Sequence, residues 1–188
     1  MRKGLLLAIF ICTGIILFAQ DEELPKGFNK ENLFLGGNFG LTFGDYTFIN
    51  ISPQLGYRFN RFLAAGVGIN GQYINSKFRY TDGTLDSRVE QGVAGLNVFG
   101  RFYPFQQFML QVQPEANYVF GQQTFYQPVK EVYKLDAIIV PSLLTGAGVV
   151  LPSGRGGLII AVFYDVLQNP SSPYGKKPFF TVGYNFGL

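Results

Sequence analysis

Ile49-Asn50-Ile51-Ser52-Pro53-Gln54-Leu55-Gly56-Tyr57-Arg58-Phe59, followed by Asn60-Arg61, is the stretch on which the fold is decided. Apolar and polar residues alternate with a period of two. Ile49, Ile51, Leu55, Tyr57 and Phe59 therefore share one face of a strand, and Asn50, Ser52, Gln54, Gly56 and Arg58 share the other. Asn60-Arg61 then interrupts the run as a tight turn, after which the alternation resumes.

The same pattern extends in both directions. Upstream, Leu33, Leu35, Phe39, Leu41 and Phe43 oppose Phe34, Gly36, Asn38, Gly40 and Thr42. Downstream, Leu63, Val67, Ile69 and Tyr73 oppose Gly66, Gly68, Asn70 and Gln72, and Leu96, Val98 and Phe102 oppose Asn97, Phe99, Arg101 and Tyr103. A fifth run sets Phe108, Leu110, Val112, Tyr118 and Phe120 against Gln111, Gln113, Glu115 and Asn117. The sixth, around 139–151, has Ser142, Gly146 and Gly148 on its polar side; the seventh sets Leu158, Ile160, Val162 and Tyr164 against a mixed face ending in Asp165. The last opposes Phe180, Val182, Tyr184, Phe186 and Leu188 to Thr181, Gly183 and Asn185. Eight runs predict an all-β fold, an eight-stranded antiparallel up-and-down transmembrane β-barrel over 32–188.

The connections separate into two kinds. Asn60-Arg61, Pro104 to Gln107 and Pro152 to Gly156 are tight, whereas those after the third, fifth and seventh runs are longer and more charged. Short turns at one end and longer loops at the other fit a barrel with both termini in the periplasm; the short connection near Asp45 departs from this pattern. Pro53, Pro114 and Pro141 fall inside runs, and since proline donates no ladder hydrogen bond, bulges are expected there.

Composition orients the faces. Charged residues make up 14% of the chain, below the roughly 25% of a soluble domain, so water is poorly served as the solvent of the whole surface. The polar faces are mostly Gly, Asn, Gln, Ser and Thr, suited to a crowded interior, and the apolar stripes carry no charge. An outward Arg at a bilayer midplane costs about 2–4 kcal/mol, which accounts for that absence. Aromatics are expected at two rims: Tyr57, Phe59, Phe62, Phe102, Phe105 and Phe108 by the tight turns, and Tyr46, Phe48, Tyr73, Tyr118, Phe120 and Tyr164 by the loops.

At the N-terminus, Arg2-Lys3 precedes an apolar run from Leu5 to Phe18, and Ala19-Gln20 precedes Asp21-Glu22-Glu23. Fourteen apolar residues fall short of the roughly 20 a spanning helix needs. The expectation is an export signal over 1–20 and a short periplasmic segment over 21–31. The single Cys12 lies in the signal, and Ile9-Phe10-Ile11 lacks the small residue of a lipid-attachment site, so it reads as a passive apolar residue.

The chain resembles the outer-membrane β-barrel domain family of small OmpX- and OmpA-like proteins. The carriers are Ile51-Ser52-Pro53-Gln54-Leu55-Gly56-Tyr57, Asn97-Val98-Phe99-Gly100-Arg101-Phe102-Tyr103, Ser172-Pro173-Tyr174-Gly175 and Gly183-Tyr184-Asn185-Phe186, and the likeness covers Asn32 to Leu188. The resemblance implies an outer-membrane location and a last strand read by the barrel-assembly machinery during insertion. Phe180, Val182, Tyr184 and Phe186 match such a strand, with Leu188 in place of the usual terminal Phe. It implies no single function.

The chain contains no histidine, which removes His-dependent hydrolysis and the commonest metal ligand, and no nucleophile–base spacing stands out. The expectation is a non-enzyme without cofactor or metal. A net charge of +3, lowered further once Arg2 and Lys3 are cleaved, supplies no field for nucleic acid. Arg58, Arg101, Glu115 and Asp165 fall on the inward face and predict a charge-balanced network that plugs the barrel; the alternative is a constriction in a narrow pore or small-solute channel. Lys77, Phe78, Arg79, Tyr80 and Arg88, around Asp82-Gly83, predict a hairpin above the membrane, which is either a merely solvated loop or a surface that adds a partner strand or meets a surface ligand. Lys176 and Lys177 in the last long loop read as ordinary solubilising charges, with contact to lipopolysaccharide phosphates as the functional alternative. The partners expected are outer-membrane lipids, lipopolysaccharide and an unidentified extracellular ligand, with the chain itself a monomer. The role is structural or adhesion-like; a periplasm-facing binding cup stays open beside it.

Overall fold

A computed structural model describes residues 28–187; the expected signal, Cys12 and Leu188 lie outside the described residues. A 3-10 turn at Lys30–Asn32 leads into eight strands: β1 Leu33–Thr42, β2 Tyr46–Arg58, β3 Leu63–Arg79, β4 Leu85–Phe105, β5 Phe108–Phe125, β6 Glu131–Ser153, β7 Gly156–Asp165 and β8 Phe179–Gly187. Each is antiparallel to the next, and β8 pairs with β1, Leu35 opposite Phe186, to close the ring. The all-β, eight-stranded up-and-down barrel is as expected. Following the pairings once round returns to β1 about ten residues further along, a stagger that tilts the strands by roughly 35–45°.

Local chemistry sets the turns. The Asn60 side-chain oxygen accepts from the backbone N–H groups of Phe62 (2.8 Å) and Leu63 (2.7 Å), fixing the bend between β2 and β3. Gly154 takes φ +57° between β6 and β7, a conformation that side chains disfavour.

The alternation maps onto the two faces. Gln54, Asn70, Asn97, Arg101, Gln111, Gln113, Glu115, Asn117 and Asp165 are buried, while Leu35, Ile51, Leu55, Val67, Leu96, Val112 and Phe180 are exposed on the outside. Inside, the rings of Phe34 and Phe99 lie over glycines on the neighbouring strands. A Cβ on Gly56 would come within 2.2 Å of the Phe34 ring, and one on Gly66 within 2.5 Å of the Phe99 ring. Small residues opposite large ones let eight strands close over a filled interior.

Two expectations are corrected. Pro53 and Pro114 are not bulges: the β2–β3 ladder skips Ser52 and Pro53, and the β4–β5 ladder skips Gln113 and Pro114, each resuming in the same register. Pro141 lies beyond the end of β7, where β6 has no neighbour on that side among the described residues. The register shifts fall instead at Phe78/Arg79, between Phe102 and Phe105 (where Pro104 sits), and between Val119 and Gly121. Lengths also differ from the expected ten or so residues: β3 to β6 run to 17, 21, 18 and 23 residues. They rise past the other four as a sheet, and the connections expected after the third and fifth runs shrink to 80–84 and 126–130.

Candidate functional site

The chemistry-bearing side chains gather in the lumen. Antiparallel pairing sets Arg58, Ala64, Arg101 and Gln111 in one row across β2 to β5, and Gln54, Gly68, Asn97, Glu115 and Ser142 in another, two residues along each strand from the row between them. Successive inward residues of β5 thus stack Gln111, Gln113, Glu115 and Asn117, each near enough to bond the next.

Hydrogen-bond direction organises this stack. Arg101 donates through Nε to Gln111 Oε1 (2.7 Å) and through Nη2 to Gln54 Oε1 (2.6 Å). The Gln111 and Gln54 amides both donate to Gln113 Oε1, and Gln113 Nε2 donates to Glu115 Oε1 at 2.6 Å. From the other side Asn97 donates to Asn70 (2.7 Å), Asn70 to Asn117 (3.3 Å), and Asn117 to Glu115 Oε2 (2.9 Å). Gln72 Nε2 donates to the Tyr174 hydroxyl (3.0 Å), which donates to Glu115 Oε2 at 2.6 Å. Every chain ends on one carboxylate. Oriented amide dipoles run from the Arg101 cation to the Glu115 anion, each bond polarising the next.

The expected four-charge network therefore takes a different form. Arg101 and Glu115 belong to one system but touch only through glutamines, and no ion pair joins any two of the four charges among the described residues. Arg58 does not join it: its side chain is exposed at the tight-turn rim, with the guanidinium carbon 5.8 Å from the centre of the Tyr103 ring. A long cationic side chain at the end of a strand reaches water more cheaply than it can be desolvated. Asp165 is buried but serves the chain locally, accepting from the Leu143 and Leu167 N–H groups at 3.0 and 3.2 Å and from Ser172 Oγ at 2.6 Å.

An apolar layer occupies the lumen as well. Phe34, Phe99, Tyr103, Met109, Leu144 and Phe163 pack together, and the Arg101 guanidinium lies 4.5 Å from the Phe99 ring centre. The 166–178 connection adds to this filling. Tyr174 stacks on Phe179 with ring centres 4.8 Å apart, and its hydroxyl crosses from the β7–β8 side to residues of β3 and β5. Among the described residues, five buried side-chain atoms have no partner: Arg101 Nη1, Asn97 Oδ1, Gln72 Oε1, Thr181 Oγ1 and Asn185 Oδ1. A recess of about 660 Å³ lies between Pro53 and Pro114, where both ladders skip pairs, lined mostly by outward apolar residues and also by Gln54, Asn97 and Glu115.

The expected hairpin is present. Phe78 and Tyr80 are exposed, Arg79 pairs with Asp45 at 3.0 Å, and Arg88 pairs with Glu90 at 2.7 Å. Its edges are occupied: Lys77 N–H donates to Asp45 O, and β4 pairs with β5 as far as Ser87 opposite Phe125. Strand addition is therefore closed at Lys77 and at Asp86 to Arg88, while Phe78 and Arg79 reach past β2. The open edge belongs to β6, whose pairing with β7 starts only at Leu144. Lys176 and Lys177 are exposed.

Alternation marks Gln54, Asn70, Gln72, Asn97, Gln111, Gln113 and Asn117 as inward without assigning them a part, and it gives Tyr174 no place. For Tyr174 no periodic signal exists, because it lies between strands. No family model matches the chain, and no curated protein matches it.

Proposed function

We propose that the chain is an integral outer-membrane β-barrel, exported by its N-terminal segment, with a structural and surface-interaction role and no catalytic activity of its own. The observation that carries this reading is the outward face. From Leu35, Ile51 and Leu55 through Val67, Leu96 and Val112 to Ile160, Val182 and Phe186, large apolar side chains stand exposed around the closed sheet, while the polar side chains are inside. A soluble monomer rarely exposes contiguous apolar surface beyond a few hundred Å². Hydrocarbon is the solvent that such a belt suits, and a closed sheet leaves no open strand edge in it. The resemblance to small OmpX- and OmpA-like barrels agrees with this.

The interaction part rests on the rising sheet of β3 to β6. The 131–142 stretch of β6 presents one unpaired edge, with Val132, Tyr133 and Ile139 exposed. The narrow-pore alternative meets a lumen filled by an apolar layer and a hydrogen-bonded polar one.

The test is cell fractionation with an unboiled gel. The protein stays in the outer membrane through urea washing and changes mobility on boiling. A mature chain that is soluble and monodisperse without detergent overturns the reading.

A further inference from the structure

Two carboxylates sit in the loop-side half of the lumen without a cation. Glu115 on β5 faces Ser142 on β6, and Asp165 on β7 takes the Leu143 N–H next to it, so the two acids flank one strand. Both are buried, and among the described residues neither has a Lys or Arg within ion-pair distance. Each takes one hydroxyl donor from the 166–178 connection, Tyr174 Oη to Glu115 at 2.6 Å and Ser172 Oγ to Asp165 at 2.6 Å, beside the Gln113 and Asn117 amides on Glu115 and the Leu143 and Leu167 N–H groups on Asp165. Beside the first contact Gln72, also buried, spends its Nε2 on Tyr174 and leaves its Oε1 without any donor. Every donor these two anions receive is neutral, and the Gln72 carbonyl beside them receives none, so this part of the lumen is short of positive charge.

From this geometry we infer that the lumen beneath 166–178 is a binding site for small organic cations, ammonium or guanidinium groups, which the chain's own connection occupies in the state described. A protonated amine brings several donors and a full charge to a position where Tyr174 brings one neutral donor. Charge-assisted bonds are roughly twice as strong as neutral ones, and two carboxylates across β6 suit a cation at each end of a short diamine. Tyr174 and Ser172 are thus internal stand-ins, and the site opens when the connection swings outward. The apolar layer of Phe34, Phe99 and Met109 remains below it, so opening yields a cup and not a channel. This rests on the closed barrel alone and not on the membrane address.

Isothermal titration of the detergent-folded full chain with 1,4-diaminobutane tests it, with mobility before boiling as the folding control. Tyr174→Gly removes both ring and hydroxyl and is expected to tighten binding at least tenfold over the unaltered chain. Tyr174→Phe, which keeps the ring on Phe179, tightens it by a smaller factor. Adding Glu115→Gln to Tyr174→Gly removes most of the gain. Binding unchanged by either Tyr174 substitution, or a gain that survives Glu115→Gln, overturns the inference. A chain that fails to fractionate with membranes yet binds the diamine in this way would sink the membrane reading alone.

Discussion

A double-mutant cycle on Arg101 and Glu115 separates a polarised amide chain from an ordinary ion pair. Arg101 is opposite Gln111, and Glu115 lies four residues further along β5, about 13 Å at the rise of a strand. Side-chain reach shortens the charge separation to about 10 Å, where an effective dielectric of 20 gives about 1.7 kcal/mol, against about 4 kcal/mol for charges in contact. Arg101→Met keeps the volume but leaves the Gln54 and Gln111 carbonyls short of a donor, and Glu115→Gln disturbs three donors; each is expected to cost about 3–5 kcal/mol. The double variant is expected to show a coupling of about 1–2 kcal/mol. Urea titrations in lipid vesicles, scored by the gel mobility of the folded form, measure all four corners. A coupling of 3 kcal/mol or more would mean that the charges meet directly; none at all would mean that the glutamines carry no electrostatic continuity.

Three further outcomes follow from other parts of the barrel. Ile160→Arg puts a cation on the outward belt and is expected to cost about 2–4 kcal/mol and impair insertion, whereas the inward Thr181→Asn is tolerated; equal tolerance means the faces are reversed. Gly66→Val forces a Cβ to 2.2 Å from the Leu55 carbonyl oxygen, which is backbone and cannot give, so the urea midpoint drops by at least the 1–3 kcal/mol typical of overpacking. Gly100→Ala meets nothing within 4 Å and is expected to be neutral; if the two shift alike, the interior packing is wrong. In the β3–β4 turn the Thr84 hydroxyl and N–H both donate to Asp82 and hold its carboxyl below the usual carboxylate range. That contribution is complete above the unfolded-state pKa and is lost as pH falls through the lowered one. The Thr84 amide proton shift should therefore titrate below the ordinary carboxylate range, and a midpoint at the ordinary value would contradict the contact.

The sequence exposed the barrel because one face of each run had to differ from the other. Ile49 to Phe59 cannot slip by one residue without turning Asn50 and Gln54 outward, so the register was already implied. Where that contrast fades, legibility fades too. Glu131 to Asp136 is charged or polar at alternate and adjacent positions alike, so nothing marked it as strand, yet it continues β6 by pairing with β5. The prolines misled for a related reason: a missing N–H can be accommodated by skipping a pair in one ladder, as at Pro53 and Pro114, without adding a residue. Within the lumen, inward direction was readable and partnership was not. Arg58 and Arg101 look equivalent in sequence, but one ends a strand at the rim and the other is buried between two glutamines.

The unequal strand lengths link the remaining features. β7 stops at Asp165 and β8 begins at Phe179, while the 131–142 stretch of β6 has no strand paired on that side among the described residues. One side of the mouth is therefore a tall sheet with an open edge, and the other is low and bounded by thirteen residues without a strand. Those residues have lost their ladder partners and must satisfy polar groups in another way. The chain does so at Asp165, which takes two backbone N–H groups and the Ser172 hydroxyl, and then turns inward to place Tyr174 on Glu115. The open β6 edge and the inward plug are thus two results of the same step in height. Extending β7 to pair with 131–142 would close the edge and draw 166–178 off the lumen together.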